Sequence, residues 1–137
     1  MSYLIDTNVI SEIRKGGRSN PGVAAWFAET SSAEMYLSAL TVGEIRKGIE
    51  GIRRRDQPTA EALEAWLAEI TATYAERILP VDAVVAERWG RLMVPDPLPL
   101  FDGLLTATAV VHGLTLVTRN VSHVERTGVD ILNPFSD

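Results

Sequence analysis

Short apolar runs alternate with amphipathic helical segments along the whole chain, and this alternation constrains the fold more than any other feature. The runs predict four strands and a candidate fifth, at residues 3–5, 35–38, 78–81, 114–118 and 129–132. Strands that alternate with helices form parallel βαβ units. We therefore expect a three-layer α/β/α sandwich with a mainly parallel central sheet of four to five strands. A length of 137 residues predicts a single domain over residues 1–137.

Composition excludes several classes of protein. The chain has no cysteine, so disulfides and thiolate metal sites are ruled out. No basic segment followed by an apolar run opens the sequence, which argues against a signal peptide. The longest weakly polar run, Leu104 to Val111, is too short to cross a bilayer. The sequence therefore predicts a soluble, cytoplasmic protein without a membrane partner.

Charge is distributed unevenly between the two parts of the chain. The net charge of −5 argues against a simple nucleic-acid binder. Residues 1–55 nevertheless hold eight basic and six acidic side chains, whereas residues 56–137 hold five basic and twelve acidic ones. The basic side chains of the first part either form a local phosphate-attracting face or belong to a solvated helix surface. The sequence leaves both interpretations open.

Three carboxylates occur in similar local settings. Asp6 follows the first strand, Glu44 lies in the predicted first turn of a helix that begins near Thr41, and Asp102 begins a late helix. The positive end of a helix dipole favours an ionised carboxylate, and Mg²⁺ or Mn²⁺ prefers oxygen ligands. Each acid also has a structural explanation: Asp6 as a helix cap, Glu44 in a Thr41–Glu44 capping box, and Asp102 as a dipole partner. Spacing alone does not establish that the three converge.

Four motifs give the sequence a resemblance to a known family. They occur in order and at approximately the family's spacing: Ile5-Asp6-Thr7-Asn8-Val9, Thr41-Val42-Gly43-Glu44-Ile45 with Gly48 following, Phe101-Asp102, and Val117-Thr118-Arg119-Asn120. In these motifs the chain resembles the PIN-domain ribonucleases, and within them the VapC toxins of bacterial toxin–antitoxin pairs. The resemblance covers the chain from residue 3 to the Asn133-Pro134 tail.

The resemblance implies an Mg²⁺- or Mn²⁺-dependent endoribonuclease that a small VapB-like antitoxin neutralises. It further implies a homodimer, an RNA substrate and no nucleotide cofactor. The reaction would be metal-assisted hydrolysis of a phosphodiester bond. Asp6, Glu44 and Asp102 match the family's acidic positions. Asp6 and Asp102 are the first candidates for metal ligands, and Glu44 would complete the metal site by orienting a metal-bound water or acting as the base.

The resemblance also assigns supporting roles, with one departure from the family pattern. Family members often use side chains at the positions of Thr7, Asn8 and Thr118 to support the site. Many carry a fourth acid where this chain has Asn120, and often an aspartate where it has His123. Asn120 can donate or accept a hydrogen bond but brings no charge, so the sequence leaves open whether one or two metal ions bind. The candidates for holding the RNA backbone are Arg46, Arg53, Arg54, Arg55 and Arg119.

Two other classes of function compete with the ribonuclease. The first is a catalytically weak or inactive PIN-like module that binds RNA or a protein partner. The second is a phospho-acceptor domain or a phosphatase. The sequence argues against the second class, because Asn8 stands where another acid would be expected and the only lysines, Lys15 and Lys47, come early in the chain.

Overall fold

A computed structural model describes all 137 residues and places a five-stranded parallel sheet between helices. The strands are β1 (Tyr3–Ile5), β2 (Met35–Ser38), β3 (Ile78–Leu79), β4 (Thr115–Val117) and β5 (Ile131–Leu132). The helices are α1 (Thr7–Ile13), α2 (Pro21–Glu29), α3 (Ala39–Arg53), α4 (Gln57–Thr73), α5 (Ala83–Leu92), α6 (Leu100–His112) and α7 (Val121–Val124). The strand order is β3-β2-β1-β4-β5, with every neighbouring pair parallel. The predicted fold class is confirmed.

The two faces of the sheet carry separate apolar cores. Side chains alternate between faces along a strand, so Leu4 and Ile5 of β1 point in opposite directions. Ile5 belongs to a core formed with α1, α2, α3 and α4, whereas Leu4 belongs to a core formed with α6 and α7. Leu116 and Val117 of β4 divide in the same way. This division produces the three predicted layers.

The central position of β1 determines where a site can form. From β1 the sheet extends in one direction through β2 and in the other through β4. In open parallel sheets, ligands bind beyond the carboxyl ends of the strands where the strand order reverses. The register pairs Ile5 with Val117, so the next residues, Asp6 and Thr118, leave β1 and β4 side by side.

The start of α3 differs from the prediction. The helix begins at Ala39, and the Ser38 hydroxyl accepts the Leu40 N–H at 3.0 Å as its cap. The predicted Thr41–Glu44 capping box is therefore wrong, and Glu44 lies in the second turn of the helix. Ser38, the last residue of the buried strand β2, caps the helix three residues earlier than Thr41 would.

The bounds of α4 differ from those that the amphipathic pattern of the sequence predicts, a helix from about Thr59 to Arg77. The carboxylate of Asp56 accepts the Thr59 N–H at 3.1 Å, so the helix starts at Gln57 instead of near Thr59. Pro58 fits the first helical turn because its missing N–H would have no partner there. The segment Ala75–Arg77, predicted to be the end of this helix, is a separate 3₁₀ turn.

In the second half of the chain, the sequence predicts a helix cap at Asp82, a loop over the prolines at 95, 97 and 99, and a helix end at His112-Gly113, and the structure has all three. Asp82 caps α5 by accepting the Val85 N–H at 3.0 Å. The proline-rich residues 93–99 form a loop, and Gly113 ends α6 in the left-handed conformation, with a φ of 65°. None of the helices combines the length and apolarity that a bilayer-spanning segment requires.

Candidate functional site

Asp6 is the most firmly held acid of the chain. It is 4% exposed and follows β1 directly, as predicted. Its Oδ1 accepts the Thr7 N–H at 2.6 Å, which caps α1. Its Oδ2 accepts the Thr118 hydroxyl at 2.7 Å and the Asn8 side-chain amide at 3.4 Å. Asp6 therefore has three donors within the protein, and its cap role and its place in the site coexist.

The pKa of Asp6 is raised above the usual aspartate value. Burial is the main cause, because it disfavours the charged form. Hydrogen bonds from Thr118 and from the Thr7 N–H lower the pKa, while the negative charges of Asp102 and Glu44 raise it. The effect of those two charges means that the three predicted acids share one electrostatic environment.

Thr118 links the ends of β1 and β4. Besides donating to Asp6, its hydroxyl accepts the Asn120 N–H at 3.0 Å. The Arg119 N–H donates to the side-chain oxygen of Asn8 at 3.4 Å. The Thr7 hydroxyl donates to the hydroxyl of Thr41 in α3 at 3.3 Å. These bonds join the residues after β1 to two other segments: the residues that follow β4 and the first turn of α3.

Asp102 lies in the first turn of α6 with a side chain that is 11% exposed. Its Oδ2 accepts the Nδ1–H of His123 at 2.8 Å, and this is its only side-chain hydrogen bond. His123, in α7, was noted in the sequence only as a departure from the family pattern. Its position after the last core strand was the one signal that could have identified it.

Glu44 differs from the other two acids because it is exposed and has no hydrogen bond or ion pair. It nevertheless lines the same cavity of about 360 Å³ as Asp6 and Asp102. The remaining lining residues are Thr7, Asn8, Ser11, Pro99, Phe101 and Asn120. The cavity therefore brings together the three acids and three of the four predicted supporting residues. The fourth, Thr118, does not line the cavity but donates a hydrogen bond to Asp6.

The donor atoms of this cavity suit a hard divalent cation, because all three acids offer carboxylate oxygen. No three histidine, cysteine, aspartate or glutamate side chains lie close enough together to hold a metal ion. Two carboxylates with water and phosphate are a common set for Mg²⁺. Glu44 has no partner that would prevent its side chain from turning toward Asp6 and Asp102.

Most of the predicted RNA-binding arginines lie away from the acids. Arg46 and Arg53 bridge α3 and α4 through ion pairs with Glu50 and Glu64, at distances from 2.6 to 3.3 Å. Because Arg53 ends α3 nine residues after Glu44 and the helix rises about 1.5 Å per residue, this end lies roughly 14 Å along the helix axis from that acid. Residues 53–55 are at that end.

Arg119 is the predicted arginine that follows the site residue Thr118 at the end of β4. Its guanidinium carbon lies 4.6 Å from the centre of the Phe135 ring. A cation above an aromatic ring is held by electrostatic attraction. Arg54 and Arg55, in contrast, are exposed and form no ion pair.

Comparison with known proteins gives a family match over most of the chain. The PIN domain family matches residues 3–128. The VapC ribonuclease Y4jK of Sinorhizobium fredii is 34% identical over 139 residues, which cover 96% of each chain.

Two solved structures share the architecture. The FitAcB structure from Neisseria gonorrhoeae superposes with a TM-score of 0.87 at 33% identity, covering 96% of this chain and 97% of the other. A toxin–antitoxin complex from Klebsiella pneumoniae contains a chain with a TM-score of 0.67 and 27% identity, with coverages of 99% and 100%. Both matches extend over the region that forms the acidic cavity.

Proposed function

The chain belongs to the PIN domain family, and from this premise we propose that it is a divalent-metal-dependent endoribonuclease. We further propose that it acts as the toxin of a toxin–antitoxin pair. The single observation that carries the activity is the acidic cavity at the switch point of the sheet. Asp6, Glu44 and Asp102 line that cavity, and burial first, then the charges of Asp102 and Glu44, raise the pKa of Asp6.

Mutual repulsion between the three carboxylates favours the binding of a divalent cation in the cavity. A cavity lined by three carboxylates repels RNA phosphate, and an added divalent charge removes that repulsion. Asp6 and Asp102 would hold Mg²⁺ or Mn²⁺, and Glu44 would complete the set. When bound, the ion supplies Lewis-acid stabilisation of charge on phosphate and lowers the pKa of water.

The protein's own residues prepare the acids for this role. Thr7 and Thr118 fix the carboxylate of Asp6, so its orientation does not change when a ligand arrives. Thr118 is in turn held by the Asn120 N–H, which couples that orientation to the segment after β4. Glu44, without a partner of its own, is free to orient a water or to accept a proton from it.

RNA recognition in this proposal relies first on Arg119, because it follows Thr118 at the end of β4. Arg54 and Arg55 are exposed and unpaired, so they offer a second contact for the RNA backbone at a distance from the cavity. Arg46 and Arg53 contribute less, because each already neutralises glutamates of the α3–α4 cluster.

The proposed toxin role rests on the relatives. Ribonuclease appears in the name of the Sinorhizobium fredii protein, and the Klebsiella pneumoniae structure is a toxin–antitoxin complex. We place the RNA substrate in the cytoplasm and propose a small VapB-like antitoxin as partner, with a homodimer as the assembly. An apolar groove of about 620 Å³ next to the acids, which includes Val81, Leu100 and Phe101, offers surface for such contacts.

Cleavage of bacterial RNA by the purified chain, freed of any antitoxin, tests the activity. The reactions contain Mn²⁺, Mg²⁺ or EDTA, and compare the wild type with Asp6→Asn and Asp102→Asn. Asp130→Asn is the matched control, because this exposed acid precedes β5 and so lies at the opposite edge of the sheet. We expect discrete products that require the metal, Asp6 and Asp102, but not Asp130.

Two other results would change the conclusion. Cleavage that continues in EDTA would remove the proposed metal dependence, and full activity in both site variants would remove the site. RNA or protein binding without cleavage by the folded wild type would favour the non-catalytic module. Thermal melting of every variant separates loss of chemistry from loss of the fold.

A further inference from the structure

His123 is the only side chain that holds the carboxylate of Asp102. The Nδ1–H donates to Oδ2 over 2.8 Å, while the Asp102 side chain is 11% exposed and the His123 side chain 49%. Because the acceptor is a carboxylate oxygen, the bond selects the form of the imidazole that carries a proton on Nδ1. Asp102 thus depends on one donor, whereas Asp6 has three.

The helix that carries His123 is anchored on α6. Val124, the next residue, is 2% exposed and packs in the same apolar core as Leu105 and Ala109 of α6. Asp102 stands one turn before Leu105 on the same helix. The imidazole of His123 and the carboxylate of Asp102 therefore lie on α7 and α6, two helices whose relative position is fixed by buried apolar contacts.

The two oxygens of Asp102 have different roles in this arrangement. Oδ2 is occupied by His123. Oδ1 accepts no hydrogen bond. It is not buried, so solvent can reach it. Holding one oxygen fixes the rotation of the carboxylate and leaves the other oxygen available to a ligand in the cavity.

We propose that His123 is a positioning residue for the divalent-cation site: it orients Asp102 so that Oδ1 faces the cation. This inference rests on the proposed function. His123 acts in this proposal through Asp102: its Nδ1–H is committed to Oδ2, and the lone pair that remains is on nitrogen, whereas Mg²⁺ prefers oxygen donors.

The test measures Mn²⁺ binding directly, by titrating the protein and following free Mn²⁺ by electron paramagnetic resonance at one pH. Removing the outer partner of a metal ligand usually costs about 10–100-fold in affinity. We expect His123→Ala to bind Mn²⁺ at least about 10-fold more weakly than the wild type. His123→Asn should stay within about threefold, because its side-chain N–H can donate to Oδ2 from nearly the same place.

Control variants and kinetics separate positioning from folding. Ser122→Ala changes an exposed neighbour on α7 and should leave affinity unchanged. Melting curves establish that each variant is folded, and rescue by asparagine is a result that mere helix stabilisation would not produce. In RNA cleavage, His123→Ala should lower kcat more than it raises KM, since Asp102 would hold the cation that stabilises charge on the reacting phosphate.

Each outcome is decisive. Mn²⁺ affinity in folded His123→Ala equal to or tighter than in the wild type overturns the inference, and so does loss of affinity in His123→Asn equal to that in His123→Ala. A wild-type chain that takes up no Mn²⁺ overturns the proposed function and the inference together. Wild-type uptake with an unchanged alanine variant overturns the inference alone.

Discussion

Replacing Thr118 by valine should destabilise the protein through the buried charge of Asp6. The Thr118 hydroxyl is part of a residue that is 1% exposed, and it donates to the Asp6 carboxylate at 2.7 Å. The same oxygen accepts the Asn120 N–H at 3.0 Å. Valine has the shape of threonine, so the substitution removes both bonds and leaves the packing unchanged.

The magnitude follows from the type of bond that is lost. A hydrogen bond to a charged group contributes about 1.5–3 kcal/mol, and a carboxylate left short of donors in a buried place adds to the cost. We expect Thr118→Val to lower the free energy of unfolding at pH 7 by about 2–3 kcal/mol. For a chain of this length, that corresponds to a fall in Tm of about 8–12 °C.

The loss should depend on pH with a definite sign. The Thr118 bond lowers the pKa of Asp6, so its removal raises that already raised pKa further. The bond stabilises the ionised carboxylate, so its contribution is complete at pH values well above the folded-state pKa of Asp6. As the pH falls through the folded-state pKa of Asp6, the carboxyl becomes neutral and the deficit of Thr118→Val becomes smaller.

Urea unfolding of the metal-free protein at pH 7 and at lower pH measures this effect, with Thr106→Val as the matched control. Thr106 is fully buried, and its hydroxyl has no hydrogen-bond partner, so valine should be neutral or stabilising there. Equal changes at the two positions would refute the reasoning. A Thr118→Val deficit that persists unchanged in an Asp6→Asn background would refute it as well.

Two further predictions concern the same edge of the sheet and the carboxyl-terminal tail. Asp6→Asn should raise the free energy of unfolding of the metal-free protein at neutral pH, because the raised pKa means that folding disfavours the charged carboxylate. Urea unfolding measures this gain, which should vanish as the pH falls to about 4. Gly22→Ala should cost about 1–3 kcal/mol and expose the tail to limited proteolysis, because a Cβ there would collide with the Pro134 carbonyl oxygen and the Ser136 N–H.

The fold class was predictable because the strands and helices are marked by local patterns. Strand β1 is an apolar run directly followed by a capping acid, and Asn20 with Pro21 is a typical helix start; both signals act within a few residues. The start of α3 was not predictable from the same rules, because Ser38 and Thr41 are both good caps. Burial of Thr41, and its bond to Thr7 across the sheet edge, place it inside the helix.

Convergence of the acids required the strand order. Sequence spacing placed Asp6, Glu44 and Asp102 at the right ends of their elements, but only the placement of β1 between β2 and β4 brings them around one cavity. The ion pairs of Arg46 and Arg53 with Glu64 depend on the packing of α4 against α3, whereas their pairs with Glu50 lie within α3. Long-range pairing of this kind leaves no signal in a local pattern.

The three acids differ in how firmly the protein holds them, and this order bears on how the cavity can accept a cation. Asp6 is fixed by donors on both oxygens, Asp102 by one donor on one oxygen, and Glu44 by none. Mg²⁺ demands near-ideal octahedral geometry, which a fully rigid set of three acids rarely provides. In the proposed site, Asp6 would set the position of the cation, Asp102 would present one free oxygen to it, and Glu44 would adapt to the phosphate that arrives with the RNA.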